Sequence, residues 1–232
     1  RMADTMAQTP EHAMDLMMRV WRPAVARVRE EVADMQAIAN RESAANRTAR
    51  ITIEPWDDRY YAEKVRKDRY DLSEEEVKPY LQLDNLVNAM FWAAGQNYVL
   101  GFRETTGTMS VFGPAVRTFE VTNTKSGAHV GVLYLDNFAR DGKRSGAWMT
   151  TYRDQQRMAP AQTVIASNNN NFTRGANGQP TLISLDDAST LFHEFGHGIH
   201  YMLQDVTYPE LAGVPRDFVE YPSQVNENWL LT

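Results

Sequence analysis

An α+β fold, mainly helical, is what this sequence predicts, and three observations predict it. Up to about residue 100, apolar residues recur three and four apart, the spacing of a helix face. From about Phe102 the period changes to alternating or β-branched and aromatic runs. A capped apolar segment then returns to helical period and carries His193-Glu194-Phe195-Gly196-His197. The expected organisation is a helical segment over residues 1–100 and a second segment over 101–232. In the second, a small sheet stands beside the histidine-bearing helix.

Residues 10–40 read as one long helix. Thr9 caps it, Pro10 takes the first position and Glu11 follows. Met14, Met18, Trp21, Val25, Val28, Val32 and Met35 form a packing stripe, expected in the core. Pro23 is expected to kink this helix or break it locally. A second helix is predicted over 56–69, with Asp57 and Asp58 near its start, and a third over 84–98. Ser73 and the three glutamates after it read as a capped, solvated helix start. Strands are predicted over 116–122 and 130–136, joined by a turn over 123–127, with further candidates at 147–152 and 163–166. The asparagines 168–171 read as a loop, either the polar rim of a cleft or plain surface.

The last helix opens on Ser184-Leu185-Asp186-Asp187, a capping-box pattern whose acids suit the positive end of the helix dipole. Ala188, Leu191, Phe192, Phe195, Ile199, Met202 and Leu203 then form an apolar stripe. His193 and His197 lie four apart and so share a face. Two neutral imidazoles placed this way can hold one Zn2+. Glu194, one step on, reaches water at the metal without needing to bind it, the arrangement of metal-assisted hydrolysis, most often of a peptide bond. With 5 His in the chain this pattern rarely arises by chance. A structural zinc site is usually closed by cysteines, and the chain has Cys 0. Gly196 and Gly198 each cost about 1 kcal/mol against alanine in a helix, which predicts close packing at both. His200 reads as a core or supporting residue, because the longer metal-binding pattern places glycine there.

A catalytic zinc site takes three protein ligands and keeps a fourth position open. Downstream of the histidines the candidates are Asp205, Glu210, Asp217, Glu220 and Glu227. Asp205 and Glu210 sit in or beside a turn region, and Asp217 reads as a helix N-cap. Glu220 opens an amphipathic segment over 217–231, with Ser223, Gln224 and Glu227 on its polar side. Two helices joined by such a loop can pack antiparallel and bring Glu220 to the metal. Pro222 places Glu220 at or just before the regular part.

Composition is that of an ordinary globular protein, 43% hydrophobic and 23% charged. A net charge of -6 argues against a nucleic-acid partner. The absence of cysteine excludes a disulfide framework, and no run of about 20 apolar residues suggests a membrane span. The cytoplasm is the expected location, or the periplasm should a signal peptide precede Arg1.

The run from His193 to His200, with Arg216-Asp-Phe-Val-Glu220-Tyr-Pro-Ser-Gln224-Val-Asn-Glu227-Asn-Trp229, resembles the thimet oligopeptidase and peptidyl-dipeptidase family of zinc peptidases. Gly131-Val-Leu-Tyr-Leu-Asp136, Arg140, Lys143 and Gly146-Ala-Trp148 look like its strand and hairpin before the active site. Trp56-Asp57 with Tyr60-Tyr61 resembles its helical segment. The resemblance implies a zincin catalytic segment in 101–232, with His193, His197 and Glu220 as zinc ligands and Glu194 as general base. It implies short peptides as substrates. Pro215-Arg216-Asp217 and Asn226-Glu227 look more like the peptidyl-dipeptidase branch, which releases C-terminal dipeptides, than the internally cutting oligopeptidases. Family members are much longer, and their later loop rich in glycine, tyrosine and histidine is not in these residues. The resemblance therefore implies an internal segment whose partner is the remaining polypeptide of a full-length enzyme, the isolated chain being a poor catalyst. A strand near 146–150 is expected to hold the substrate backbone by strand addition.

Overall fold

The structure is a computed structural model that describes residues 5–70 and 74–231. Contacts divide the chain into two compact units, Arg1–Val77 and Lys78–Thr232. Among the described residues, no helix is long and apolar enough to cross a membrane.

The first unit is helical. Helix α1 spans Pro10–Asn46, with Pro10 in its first turn and the Thr9 hydroxyl accepting from the backbone of His12. Pro23 lies inside the helix, which continues through it. Helix α2 spans Asp58–Tyr70 and the short α3 spans Glu74–Val77. Ser73, the expected cap, lies outside the described residues. Met35, Ile38 and Ala39 of α1 pack against Tyr61 of α2, joined by Ile53 and Val65. The expected core stripe of α1 is buried only at Met35. Val25 is half-buried, and Met14, Met18, Trp21, Val28 and Val32 are exposed. Periodicity identifies the face that wants a partner, and α2 covers only the C-terminal part of it.

The second unit is α+β. Helix α4 (Leu83–Tyr98) ends at Val99, whose left-handed backbone turns the chain directly into strand β1 (Leu100–Glu104). Strand β1 was not expected: five residues with a glycine among them carry little strand signal. Strands β2 (Arg117–Asn123) and β3 (His129–Phe138) form the predicted hairpin. Strands β4 (Trp148–Arg153) and β5 (Val164–Phe172) complete a sheet of order β1-β2-β3-β5-β4. Its pairs are antiparallel except β3 with β5, and β4 forms one edge. Helix α5 (Leu185–Met202) lies against this sheet, and α6 (Glu220–Glu227) packs on α5. The core holds Leu133, Val164, Leu191 and Phe192, with a ring cluster of Phe91, Phe102, Phe119 and Phe195 joining α4, the sheet and α5.

The asparagine tract is neither rim nor surface loop. Asn168, Asn169 and Asn170 are buried in β5, between β3 and β4. A buried amide is tolerated where it is hydrogen-bonded. Asn169 donates to the Trp148 carbonyl at 2.9 Å, and Asn171 to the Gly146 carbonyl at 2.6 Å. Asn170 donates to Asn137 Oδ1 and Asn168 Oδ1, both at 3.0 Å. Composition points to a loop because asparagine is usually solvated, but here the amides tie β5 to the start of the edge strand.

The segment between β3 and β4 is anchored by a buried cation. Lys143 Nζ donates to the Asp136 carbonyl at 2.8 Å, the Phe138 carbonyl at 3.0 Å and the Asn170 carbonyl. Arg140 spans both oxygens of Asp136 at 2.7 and 2.9 Å. Burial pushes the Lys143 ammonium below its ordinary range, while Asp136 opposes that shift. These bonds fix where β4 begins.

Candidate metal centre

Helix α5 starts as its sequence requires. The Ser184 hydroxyl accepts from the Asp187 backbone at 3.0 Å, and Asp187 Oδ2 accepts from the Ser184 backbone at 3.2 Å. Ala188, Leu191, Phe192, Phe195, Ile199 and Met202 are buried against the core. Leu203, read into the same stripe, is the exposed C-cap residue. The two glycines differ. A Cβ on Gly196 would stand 2.7 Å from Ser223 Cα and 2.8 Å from Asn226 Cβ, so α6 crosses α5 at this point. Around Gly198 nothing lies within 4 Å, and the close packing expected there does not occur.

Glu220 is the first residue of α6, and Pro222 falls in the first turn, where its missing N–H costs least. Asp217 is not the cap of this helix. Val219 holds that position without a side-chain bond, and Asp217 lies in the turn before it. The Ser223 hydroxyl donates to the Glu220 carbonyl at 2.8 Å and approaches Glu220 Oε2 at 3.3 Å.

These elements bring three ligand-capable side chains together. Atoms of His193, His197 and Glu220 lie within 4.8 Å of one another. Both imidazole Nε2 atoms stand 3.1 Å from the same oxygen, Glu220 Oε2. Two bonds of about 2.1 Å at a tetrahedral angle separate ligand atoms by roughly 3.4 Å, so this donor set fits a single zinc ion. The rings of His193 and His197 are 4.9 Å apart and nearly perpendicular. Burial pushes the His197 imidazole below its ordinary pKa, favouring the neutral form that has a lone pair to give.

Glu227 completes the surroundings of His193. Its Oε1 lies 2.6 Å from His193 Nδ1, and its Oε2 accepts from the Ser189 hydroxyl at 3.2 Å. A carboxylate at Nδ1 keeps the proton there and turns the Nε2 lone pair toward Glu220. Sequence reasoning weighed Glu227 only as a ligand. Its spacing of seven from Glu220 places both on one face of α6 and was the available signal for this orienting role. Asp205 pairs with Arg157 at the surface, and Glu210 sits in an exposed helical turn over Pro209–Leu211. His200 stays outside the cluster. Its ring lies near Phe218, its Nδ1 is buried without a hydrogen-bond partner, and burial pushes its pKa down.

Glu194 is 9% exposed, beside the edge strand. Burial raises its pKa above the ordinary carboxylate value. The neighbouring His193 imidazole and the backbone N–H of Met149 on β4 act against that rise, and Glu220 adds to it.

The model of peptidase family M3 matches residues 1–232. The chain belongs to peptidase family M3. It is 38% identical over 232 residues to the dipeptidyl carboxypeptidase of Escherichia coli (strain K12), covering 99% of this chain and 33% of that protein. It is 36% identical over 233 residues to oligopeptidase A of Salmonella typhimurium, covering 98% of this chain and 33% of that protein. A more distant relative is the probable thimet oligopeptidase of Arabidopsis thaliana, 27% identical over 178 residues, with 73% of this chain and 24% of that protein covered. The chain thus spans about a third of the length of the first two curated relatives.

Proposed function

We propose that this chain carries the zinc centre of a metallopeptidase that hydrolyses short peptides. The observation that carries the reading is the convergence of both imidazole Nε2 atoms on one oxygen of Glu220. In this reading His193, His197 and Glu220 hold the ion in a zincin arrangement, and Glu227 orients His193. When bound, zinc supplies Lewis-acid polarisation of the scissile carbonyl and lowers the pKa of water to about 7. Glu194 is the general base. It takes a proton from the attacking water as the new C–O bond forms and passes it to the amine as the C–N bond breaks. Its burial, which raises its proton affinity, suits that task. The edge of β4 lies beside Glu194, so a peptide added there as a further strand runs past the proton acceptor.

Release of C-terminal dipeptides is the finer reading. It rests on the runs at 215–217 and 226–227 and on the likeness to the dipeptidyl carboxypeptidase. The comparable likeness to oligopeptidase A keeps internal cleavage as the alternative. Because the chain spans a third of these relatives, a second reading is a zinc-binding piece that is catalytically incomplete without further polypeptide.

Zinc content and anomalous scattering at the zinc edge test the ligand set. A loaded site built on Asp205, Glu210 or Glu227 in place of Glu220 overturns it. Turnover of a quenched peptide by this chain, with and without the remaining polypeptide of a full-length enzyme, separates the complete from the incomplete catalyst. Products from peptides with free and amidated C-termini separate dipeptide release from internal cutting.

A further inference from the structure

Two buried amides grip the helix turn that precedes the metal-binding pair. Asn168 Nδ2 of β5 donates to the Leu191 carbonyl at 3.2 Å, and Asn226 Nδ2 of α6 donates to the Phe192 carbonyl at 2.7 Å. Asn168 is 0% and Asn226 5% exposed. These carbonyls are consecutive and stand immediately before His193. They belong to the interior of α5, where helix bonding already engages the backbone, so neither amide is needed to close the helix. What the two bonds add is a link from the sheet and a link from α6 to adjacent points on one turn. Consecutive helix residues project about 100° apart around the axis. Two grips at that angle therefore resist rotation of α5 as well as sliding along it.

We propose that Asn168 and Asn226 are positioning residues, a paired clamp that sets the rotation of α5 so that His193 and His197 face Glu220. The proposal rests on the zinc reading above. The register between the two ligand-bearing helices is otherwise set by the close crossing at Gly196 and by Glu227, which meets Ser189 and His193 across it. That crossing brings the Asn226 Cβ to the helix surface, from where its amide reaches the Phe192 carbonyl one turn earlier. Apolar packing of α5 is tolerant of small rotations, since dispersion contacts are non-directional. A hydrogen bond is directional. A misplacement of about 1 Å at the histidines would spoil the shared ligand geometry.

The test uses the 232-residue chain and zinc itself. Zinc affinity is measured by chelator competition for wild type, Asn226→Leu, Asn226→Asp and Asn168→Leu, alongside the visible spectrum of the Co2+-loaded proteins. Met90→Ala, a truncation of a buried core residue on α4 that makes no hydrogen bond to α5, serves as a control for general destabilisation. The expected result is at least about a tenfold loss of zinc affinity in the clamp variants, with altered Co2+ bands, and wild-type affinity and bands in Met90→Ala. Asn226→Asp is nearly isosteric, so it decides the matter if Asn168→Leu does not fold. Clamp variants that keep wild-type affinity and bands, or that change only as much as Met90→Ala, overturn the proposal. A wild-type chain that binds no zinc at the histidines overturns the zinc reading instead.

Discussion

Glu227 Oε1 and His193 Nδ1 are 2.6 Å apart, on the opposite side of the imidazole from Glu220. This contact fixes one tautomer of His193. Removing it with Glu227→Ala should lower zinc affinity by about 10- to 100-fold while leaving the three ligands in place. Chelator competition checks this. Glu227→Gln, which still offers an oxygen, should lose less, and equal affinity in all three proteins would show that Glu227 orients nothing.

Glu194 and the histidines should separate by substitution. Glu194→Gln keeps the shape of the side chain but cannot take a proton. It should retain zinc and lose about 100- to 10,000-fold in peptide turnover in a full-length enzyme. His193→Ala should lose both metal and turnover. Metal analysis beside a fluorogenic peptide assay reads the two effects, and substantial activity in Glu194→Gln would remove it from the general-base role.

Two glycines two residues apart should respond with opposite sign. Gly196→Ala drives a methyl group into Ser223 and Asn226, and such overpacking costs about 1–3 kcal/mol. It also displaces the helix that bears Glu220, so zinc affinity should fall with stability. Gly198→Ala meets nothing within 4 Å. It should gain up to about 1 kcal/mol from helix propensity. Chemical denaturation of both variants is the measurement, and destabilisation by Gly198→Ala would contradict the packing described.

The β1–β2 pair carries an acid-sensitive contact. Arg117 donates twice to Glu104, at 3.0 and 2.8 Å, and holds its carboxyl down to about 2 from 4.5. A depressed folded pKa means stability that is present above pH 4.5 and lost as pH falls toward 2. The side chains are partly solvated, so the contribution is no more than about 1 kcal/mol. Wild type should exceed Glu104→Gln in denaturation midpoint at pH 5.5, and the gap should narrow below pH 4.5 and close only as pH falls through about 2. A gap that persists unchanged at low pH would exclude this ion pair as its source.

Local signals were legible in the chain itself. The capping box at Ser184, the four-residue spacing of His193 and His197, and the 123–127 turn act over a few residues. Their structural meaning is set by backbone geometry alone. The same reasoning located α2, α4 and the β2–β3 hairpin. It failed at the 168–171 tract and along α1 for one reason. Burial is a property of what lies opposite, and neither an asparagine in a central strand nor a methionine on a long helix encodes its neighbour in its own type.

What the sequence by itself determined was the donor chemistry: two histidines on one helix face, a glutamate beside them, and a short set of later carboxylates. The residues alone left those carboxylates open and the family resemblance pointed to Glu220; the tertiary structure brings Glu220 to both imidazole Nε2 atoms and Glu227 to the far nitrogen of His193. The physical reason is range. Periodicity and capping act within one or two turns, whereas this placement depends on where α6 crosses α5. The crossing is set by the contact of Gly196 with Ser223 and Asn226, residues 27 and 30 positions further along the chain.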